Sequence, residues 1–338
     1  MSEHSLKCKS LYFKIRINNI LQIIDRKIRE VSKNEKSYLN DYFMKKLPSM
    51  DNAQEIVLEE IKNKTLLLVR FGLYEYQLCY QYLEKKAGIR TNFSEFICNH
   101  IHNDAGVLWK NEDDLDQYAE YIIDNLKLVT VIAYWRNYPS RFVFNDFIEN
   151  YTYNINVEDL YPYPFWHKNH LPYWQSVLKN KKVLIVTSFS KTVSEQYKRK
   201  DFIWDNSESI LPTFNLITYQ AVCTNGGWKD SRFQTWKEAI AFMKNEIVAI
   251  DFDIALISCG GYGMPLSMEL RKAGKNVIQW GGCYQLWFGI KGSRWDNIPE
   301  INQYFNDYWI YPSDCETPPD CNSVDFSSYW KKRIDSCR

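Results

Sequence analysis

The sequence predicts an α/β fold in which a mostly parallel sheet is covered by helices on both faces. Two observations predict it: apolar runs of strand length alternate with helical segments, and each run is continuously apolar. Strands that are buried on both faces have this continuous pattern, and parallel strands are joined by helical crossovers. The carboxyl ends of such strands meet at one edge of the sheet, where ligands bind in folds of this class.

A basic helix is predicted before the sheet, from residue 5 to residue 33. Its apolar side chains recur mostly at three- and four-residue steps, and residues 1–33 contain eight Lys or Arg residues and three acids. We favour packing of this helix on the main domain; the alternative is a surface helix, Leu6 to Lys33, that rests on anionic lipid. The apolar side chains are Leu6, Phe13, Ile17, Ile20, Ile24 and Ile28.

Turn-forming residues in "LPSMDNAQ" mark a boundary after this helix. We therefore assign residues 1–48 to an N-terminal helical arm and residues 49–338 to the α/β domain. Six strands are predicted in that domain, at 65–71, 128–135, 181–189, 214–222, 253–259 and 276–280. Helices are predicted at 75–86, 115–126, 232–247 and 264–274, and another begins at residue 190.

Composition narrows the function classes. A net charge of +1 argues against a general nucleic-acid-binding protein. No apolar run is long enough to span a bilayer, and "MSEHSLKCKS" does not resemble a secretory signal, so a cytoplasmic location is expected. The nine cysteines are scattered and the five histidines lack metal-site spacing, which predicts reduced thiols and structural histidines rather than a metal site.

Glycine is scarce, with 13 in 338 residues, yet it clusters between residues 252 and 295. Four predicted strand ends carry unusual residues: "VRFGLYE", "VTSFSKTVSEQ", "SCGGYGMP" and "QWGGCYQ". Glycine permits tight turns and close approach of the backbone, and free amides at a helix start can bind phosphate. We therefore expect these turns to bring the backbone close to a ligand, at its phosphates.

These segments resemble the GT-D-type glycosyltransferases, a Rossmann-like family that builds bacterial surface glycans. "VRFGLYE" resembles the family's "RFGDGE" opening, and "VLIVTSFSKTVSEQ" resembles its second strand and turn. "FDIALISCGGYGMPLSMELRKAGKNVIQWGG" is similar to its late segment, and "GGCYQLWFGIKGSRW" to a tail of related polysaccharide-cluster proteins. The similarity covers roughly residues 60–312, in the order of motifs.

The resemblance implies transfer of a sugar from a nucleotide-sugar donor to a surface polysaccharide or its lipid-linked precursor. Glu75 would be the general base or orient the acceptor. The family's acidic pair falls on positions 73 and 75, but Leu73 replaces the first acid, so a Mn²⁺ or Mg²⁺ site is not carried over. Donor-binding residues would be Arg70, Gly72, Ser188, Lys191, Gly260, Gly261, Tyr262, Gly263, Gly281, Gly282, Gln285, Lys291 and Arg294.

Three aromatic residues, Tyr262, Tyr284 and Trp287, are candidates to stack on a base or sugar ring, with core packing as the alternative. Two other functions remain open. Leu73 is consistent with a non-catalytic sugar-nucleotide-binding or assembly protein. A nicotinamide-dependent oxidoreductase would share the sheet, but the dinucleotide glycine spacing is not evident.

Overall fold

A computed structural model describes residues 3–32, 37, 41–42, 44–134, 144, 147, 152–167 and 171–333. Its strands are β1 (Leu67–Val69), β2 (Val131–Tyr134), β3 (Tyr153–Asn156), β4 (Lys182–Thr187), β5 (Asn215–Gln220), β6 (Ile254–Ser258) and β7 (Asn276–Gln279). Its helices are α1 (Glu3–Ser32), α2 (Met50–Lys62), α3 (Leu73–Lys86), α4 (Glu95–Asn103), α5 (Glu112–Asn125), α6 (Ser190–Tyr197), α7 (Ser207–Ile210), α8 (Trp236–Val248), α9 (Gly263–Lys272) and α10 (Pro299–Asn302).

The seven strands form one sheet in the order β3-β2-β1-β7-β6-β4-β5, and every pair is parallel. The predicted α/β class with a parallel, Rossmann-like sheet is confirmed. All carboxyl ends consequently lie at one edge. The four predicted turns follow β1, β7, β6 and β4, which are consecutive neighbours in the centre of the sheet.

Alternate residues of β1, β2, β4, β6 and β7 enter two separate cores. Leu184 and Val186 of β4 pack in one core, whereas Val183 and Ile185 pack in the other. This alternation follows from the period of two along a strand, and it explains the continuous apolar runs, since both faces are buried. The first core also contains α3, α5, α8 and α9, and the second contains α2 and α6.

The helices that follow β4 and β6 lie on opposite faces. Val193 of α6 belongs to the second core, and Leu266 of α9 belongs to the first. The chain thus leaves two neighbouring strands in opposite directions, and this divergence opens a crevice at their carboxyl ends. The topology by itself places a binding cleft near the ends of β4 and β6.

Five of these elements were not predicted: α2, α4, β3 and the four-residue helices α7 and α10. The turn formers of "LPSMDNAQ" begin α2, where the Ser49 hydroxyl accepts the amide of Asn52. Helix α4 is short and carries only two buried side chains. Strand β3 lies at the sheet edge, and three of its four side chains are at least partly exposed, so it lacks an apolar run.

Helix α1 packs on the domain through a different face from the predicted one. Ile15 is fully buried in the first core, and Asn18 donates a hydrogen bond to the Tyr80 hydroxyl at 2.8 Å. The predicted apolar stripe is instead exposed: the exposed fractions of Phe13, Ile17, Ile20, Ile24 and Ile28 range from 45% to 63%. The expectation that this stripe packs inward is therefore wrong.

Within the described residues, no helix combines the length and hydropathy needed to cross a membrane.

Candidate functional site

A cleft of about 480 Å³ opens at the carboxyl ends of β1, β7, β6 and β4. It is lined by the strand-end turns and by residues from the C-terminal segment 325–330. Its walls include Arg70, Gly72, Leu73, Tyr74, Glu75, Asp104, Ala105, Ser188, Phe189, Asn225, Ser258, Cys259, Gly260, Gln279, Gly281, Gly282, Cys283, Tyr284, Arg294, Asp325, Tyr329 and Trp330.

The turn after β1 places a carboxylate and a guanidinium in this cleft. The amide of Arg70 donates to Oε1 of Gln279 at 2.6 Å, which ties the end of β1 to the end of β7. Gly72 is the N-cap of α3, and a Cβ there would stand 2.0 Å from Oε2 of Glu75. Only glycine therefore leaves room for the Glu75 carboxylate to fold back over the start of its own helix.

Glu75 is 8% exposed although it borders the cleft. Burial raises the pKa of its carboxyl above the ordinary value, while its own backbone amide and the Arg70 charge act in the opposite direction. A buried carboxyl with a raised pKa can exchange a proton nearer to neutral pH than an exposed one. The structure thus brings Glu75, the predicted catalytic residue, to the cleft, and its role stays a prediction.

The glycine pair after β7 is approached by side chains of this chain. Gly281 has a φ of +83°, and a Cβ there would stand 2.0 Å from Nη1 of Arg70. At Gly282, a Cβ would stand 2.2 Å from Cε1 of Tyr329. Both glycines therefore make room for side chains that form the cleft walls. This corrects the expectation that a ligand's phosphates approach the backbone at Gly281 and Gly282.

The glycines after β6 serve a similar packing role. Gly260, with a φ of +58°, would place a Cβ 2.5 Å from the Ala105 carbonyl oxygen, and the Gly261 amide donates to that same oxygen at 2.7 Å. Of Gly260, Gly261, Tyr262 and Gly263, only Gly260 borders the cleft. The predicted donor contacts of the other three are not supported, because this turn packs against the segment after α4.

All three candidate stacking rings are buried in the core, and of the three only Tyr284 borders the cleft. Tyr262 is 1% exposed, and its hydroxyl lies 2.9 Å from Oγ1 of Thr224. Trp287 is fully buried and donates its indole N–H to the Ile210 carbonyl. Tyr284 borders the cleft, although its hydroxyl is hydrogen-bonded to Thr187. Core packing, the alternative for these rings, explains Tyr262 and Trp287.

The start of α6 is already capped by a carboxylate from the C-terminal segment. Oε1 of Glu316 accepts the Lys191 amide at 2.7 Å, and Oε2 accepts the Thr192 amide at 3.1 Å. Glu316 is 4% exposed, so an anion of the protein occupies the position that a ligand phosphate would take. Ser188 borders the cleft, but Lys191 does not line it. The predicted contact of Lys191 with a donor phosphate is therefore not supported.

Residues of the tail "GGCYQLWFGIKGSRW" differ in how they are placed relative to the cleft. Lys291 lies outside the cleft walls, with its ammonium 5.4 Å from the centre of the Tyr311 ring. Gln285 is fully buried and donates to the carbonyls of Lys291 at 2.8 Å and Tyr329 at 3.2 Å. Neither residue is placed to bind a donor directly. Gln285 instead holds the C-terminal segment, and thereby Tyr329, against the cleft.

Arg294 is the tail residue that borders the cleft. Its Nη2 donates to the Asp325 carboxylate and, at 3.0 Å, to the Ser328 hydroxyl. The guanidinium carbon lies 5.1 Å from the centre of the Tyr329 ring. About a third of the Arg294 side chain is exposed, so the charge is paired but remains accessible from the cleft.

The sequence did not predict the C-terminal wall or the contribution of Asp104. Oδ1 of Asp104 accepts the Asp325 amide at 2.7 Å, and burial raises the pKa of the Asp104 carboxyl. Asp325 and Ser327 have φ values of 45° and 66°, left-handed conformations that non-glycine residues adopt with strain. No local pattern marks Asp104 and Asp325 as partners, because they are 221 residues apart in the chain.

The described histidines have structural contacts, as predicted. His100 stacks on Phe96 with ring centres 4.0 Å apart, and His167 is 2.8 Å from the Glu158 carbonyl oxygen. The cysteines whose side chains are described are free, and the reduced state of the thiols stays a prediction. His170 and Cys337 lie outside the described residues, and the side chains of His4 and Cys8 are likewise not described.

The resemblance implies a cation site, and the residues present do not fit one. Leu73, at the position of the family's first acid, is 43% exposed and carries no ligand atom. Asp325 is paired with Arg294, and Asp104 accepts an amide. Across the described ranges, no group of three or more His, Cys, Asp or Glu residues could hold a metal ion.

Comparison of the chain with protein-family models, with curated proteins and with solved structures finds no match.

Proposed function

We propose that this protein is a glycosyltransferase of the GT-D type, which moves a sugar from a nucleotide-sugar donor to a bacterial surface polysaccharide or its lipid-linked precursor. The observation that carries the proposal is the meeting of Arg70, Arg294 and Glu75 in one cleft at the carboxyl edge of the sheet. Its volume of about 480 Å³ is in the range of small-molecule sites.

The two arginines supply positive charge for a departing nucleotide diphosphate. A guanidinium binds phosphate oxygens through two parallel hydrogen bonds, and it keeps its charge at every physiological pH. Arg70 is anchored by its amide to Gln279, and Arg294 by its side chain to Ser328. In this proposal they take the charge-stabilising role that a cation would otherwise have.

Glu75 is proposed to accept the proton of the attacking sugar hydroxyl. That hydroxyl must lose its proton as it attacks the anomeric carbon, and a base works best when its pKa lies near the working pH. Burial, which raises the pKa of Glu75, adjusts the carboxyl in that direction. The rings of Tyr74 and Tyr329, both on the cleft wall, are available to a base or sugar.

The second candidate is a non-catalytic sugar-nucleotide-binding or assembly protein. Exposed Leu73 favours it, because a leucine replaces a carboxylate at the mouth of the site. Such a protein would keep the arginines for binding and would not need Glu75 to change protonation.

A thermal-shift panel separates these functions. Nucleotide diphosphates, nucleotide sugars and NAD are tested with and without Mn²⁺, and nucleotide diphosphate release from each stabilising sugar nucleotide is then measured with glycan acceptors. We expect stabilisation by a nucleotide sugar that is independent of Mn²⁺, and turnover that Glu75→Gln abolishes while binding remains. Binding without turnover would favour the assembly protein, and stabilisation by NAD alone would replace both proposals with an oxidoreductase.

A further inference from the structure

Helix α1 presents a continuous apolar stripe to the outside of the molecule. Phe13, Ile17, Ile20, Ile24 and Ile28 follow one another at steps of three and four residues, so they lie on one side of the helix. Their exposed fractions are 63%, 53%, 56%, 47% and 45%, and Val31 at the end of the helix is 86% exposed. Contiguous exposed apolar surface of this kind marks an interaction site.

The opposite side of α1 is fixed to the domain, so the stripe cannot turn inward. Ile15 and Asn18 are fully buried, and the Tyr80 hydroxyl of α3 donates to Oδ1 of Asn19 at 2.8 Å. Rotating α1 to bury the stripe would break these contacts and would place Asn18 in water. The stripe is therefore a stable surface of the folded protein.

Basic residues border the stripe on both sides. At 100° per residue, Arg16 and Lys27 fall along one border and Lys14 along the other. The two acids between residues 11 and 32 lie near arginines of the same helix: Asp25 is 3.1 Å from Arg29, and Glu30 is 3.9 Å from Arg26. The borders therefore carry an excess of positive charge.

This charge distribution discriminates between two occupants of the stripe. A second copy of α1 would bring basic borders together in either the parallel or the antiparallel orientation, and like charges repel. An anionic lipid surface would accept the apolar side chains into its interface and would pair with the border cations. We propose that α1 docks this protein on an anionic bilayer surface through Phe13, Ile17, Ile20, Ile24 and Ile28.

Sedimentation of the full-length protein with vesicles tests the proposal, and it does not depend on the reaction. We expect binding to phosphatidylcholine vesicles that contain phosphatidylserine, weaker binding at high salt, and little binding to phosphatidylcholine alone. Ile20→Gln with Ile24→Gln should lower the vesicle affinity by about tenfold or more, since both side chains lose apolar transfer energy. Arg16→Gln with Lys27→Gln should lower it by about fivefold for each cation at low salt.

A matched control removes two exposed cations elsewhere, Lys198→Gln with Lys229→Gln, and should bind as the wild type does. Circular dichroism and the Tm verify that each variant is folded. Equal vesicle binding by the wild type and by the Ile20, Ile24 double variant would overturn the proposal. It would also be overturned if the wild type fails to bind vesicles and forms a dimer that this variant dissociates, because the stripe would then join two copies.

Discussion

The Arg70 side chain lies against the backbone of Gly281 in the wall of the cleft. The missing side chain of Gly281 is what allows the Arg70 guanidinium to lie there, since a Cβ would stand 2.0 Å from Nη1. Gly281 follows β7 and Arg70 follows β1, so two neighbouring strands must both be in place before the charge is positioned.

Gly281→Ala should therefore displace Arg70 and weaken nucleotide diphosphate binding by about tenfold or more, the scale of one charged hydrogen bond. Gly274→Ala is the control, because Gly274 has a similar φ of +78° and nothing within 4 Å of its Cβ position. Gly281 also has a ψ of −174°, a conformation that is almost restricted to glycine, so alanine there adds backbone strain of about 1–3 kcal/mol, and the Tm of both variants is compared alongside the affinity. Calorimetric titration with a nucleotide diphosphate measures the difference, and equal affinities of the two variants would contradict this role of Gly281.

Arg294 and Lys291 are close in sequence but differ in their relation to the cleft. Arg294→Gln should lower nucleotide diphosphate affinity by about tenfold to a hundredfold, because a charged hydrogen-bond donor is lost. Lys291→Gln should leave that affinity unchanged, since its ammonium lies over aromatic rings outside the site. The same titration compares the two, and a larger loss for the lysine variant would exclude this arrangement of the donor site.

Replacing Glu75 by Gln should change how stability depends on pH. Burial makes the folded protein hold the Glu75 proton to a higher pH than the unfolded chain does. Unfolding therefore releases a proton between the ordinary and the raised pKa, and the free energy of unfolding falls as pH rises through that window. Gln cannot ionise, so the stability of Glu75→Gln relative to the wild type should increase as the pH rises above 4.5, the ordinary pKa of a glutamate carboxyl.

Urea unfolding at several pH values measures this difference. Glu95→Gln is the control, because Glu95 also lies in the first turn of a helix but is exposed. The pH trend of Glu75→Gln is evaluated relative to this exposed-site variant. A pH-independent difference for Glu75→Gln would mean that the Glu75 carboxyl does not titrate in a buried environment.

Glu316→Ala should destabilise the protein by about 2–4 kcal/mol, because the amides of Lys191 and Thr192 and the Ser313 hydroxyl lose a charged acceptor. Removal of exposed Glu300 by Glu300→Ala should cost about 0.5 kcal/mol or less. Chemical denaturation compares them. If Glu316→Ala were as stable as Glu300→Ala, the carboxylate would not be the cap that holds α6 to the C-terminal segment.

The sequence by itself determined the α/β class and the four turns at one edge of the sheet. Continuous apolar runs require strands buried on both faces, and parallel strands align their carboxyl ends, so Arg70, Glu75, Ser188, Gly260 and Gly281 could be placed together without coordinates. These inferences succeeded because the period and length of apolar segments are local properties of the chain.

Only the tertiary structure decided which residues face the cleft and what approaches the glycines. Lys191 and Lys291 have the charge that a donor site needs, yet neither lines the cleft, and Glu316 already caps α6. The stripe of α1 was expected to pack inward, but Ile15 and Asn18 determine the buried face. Such outcomes depend on contacts between residues 60 to more than 200 positions apart, and helical or strand periodicity carries no information about those partners.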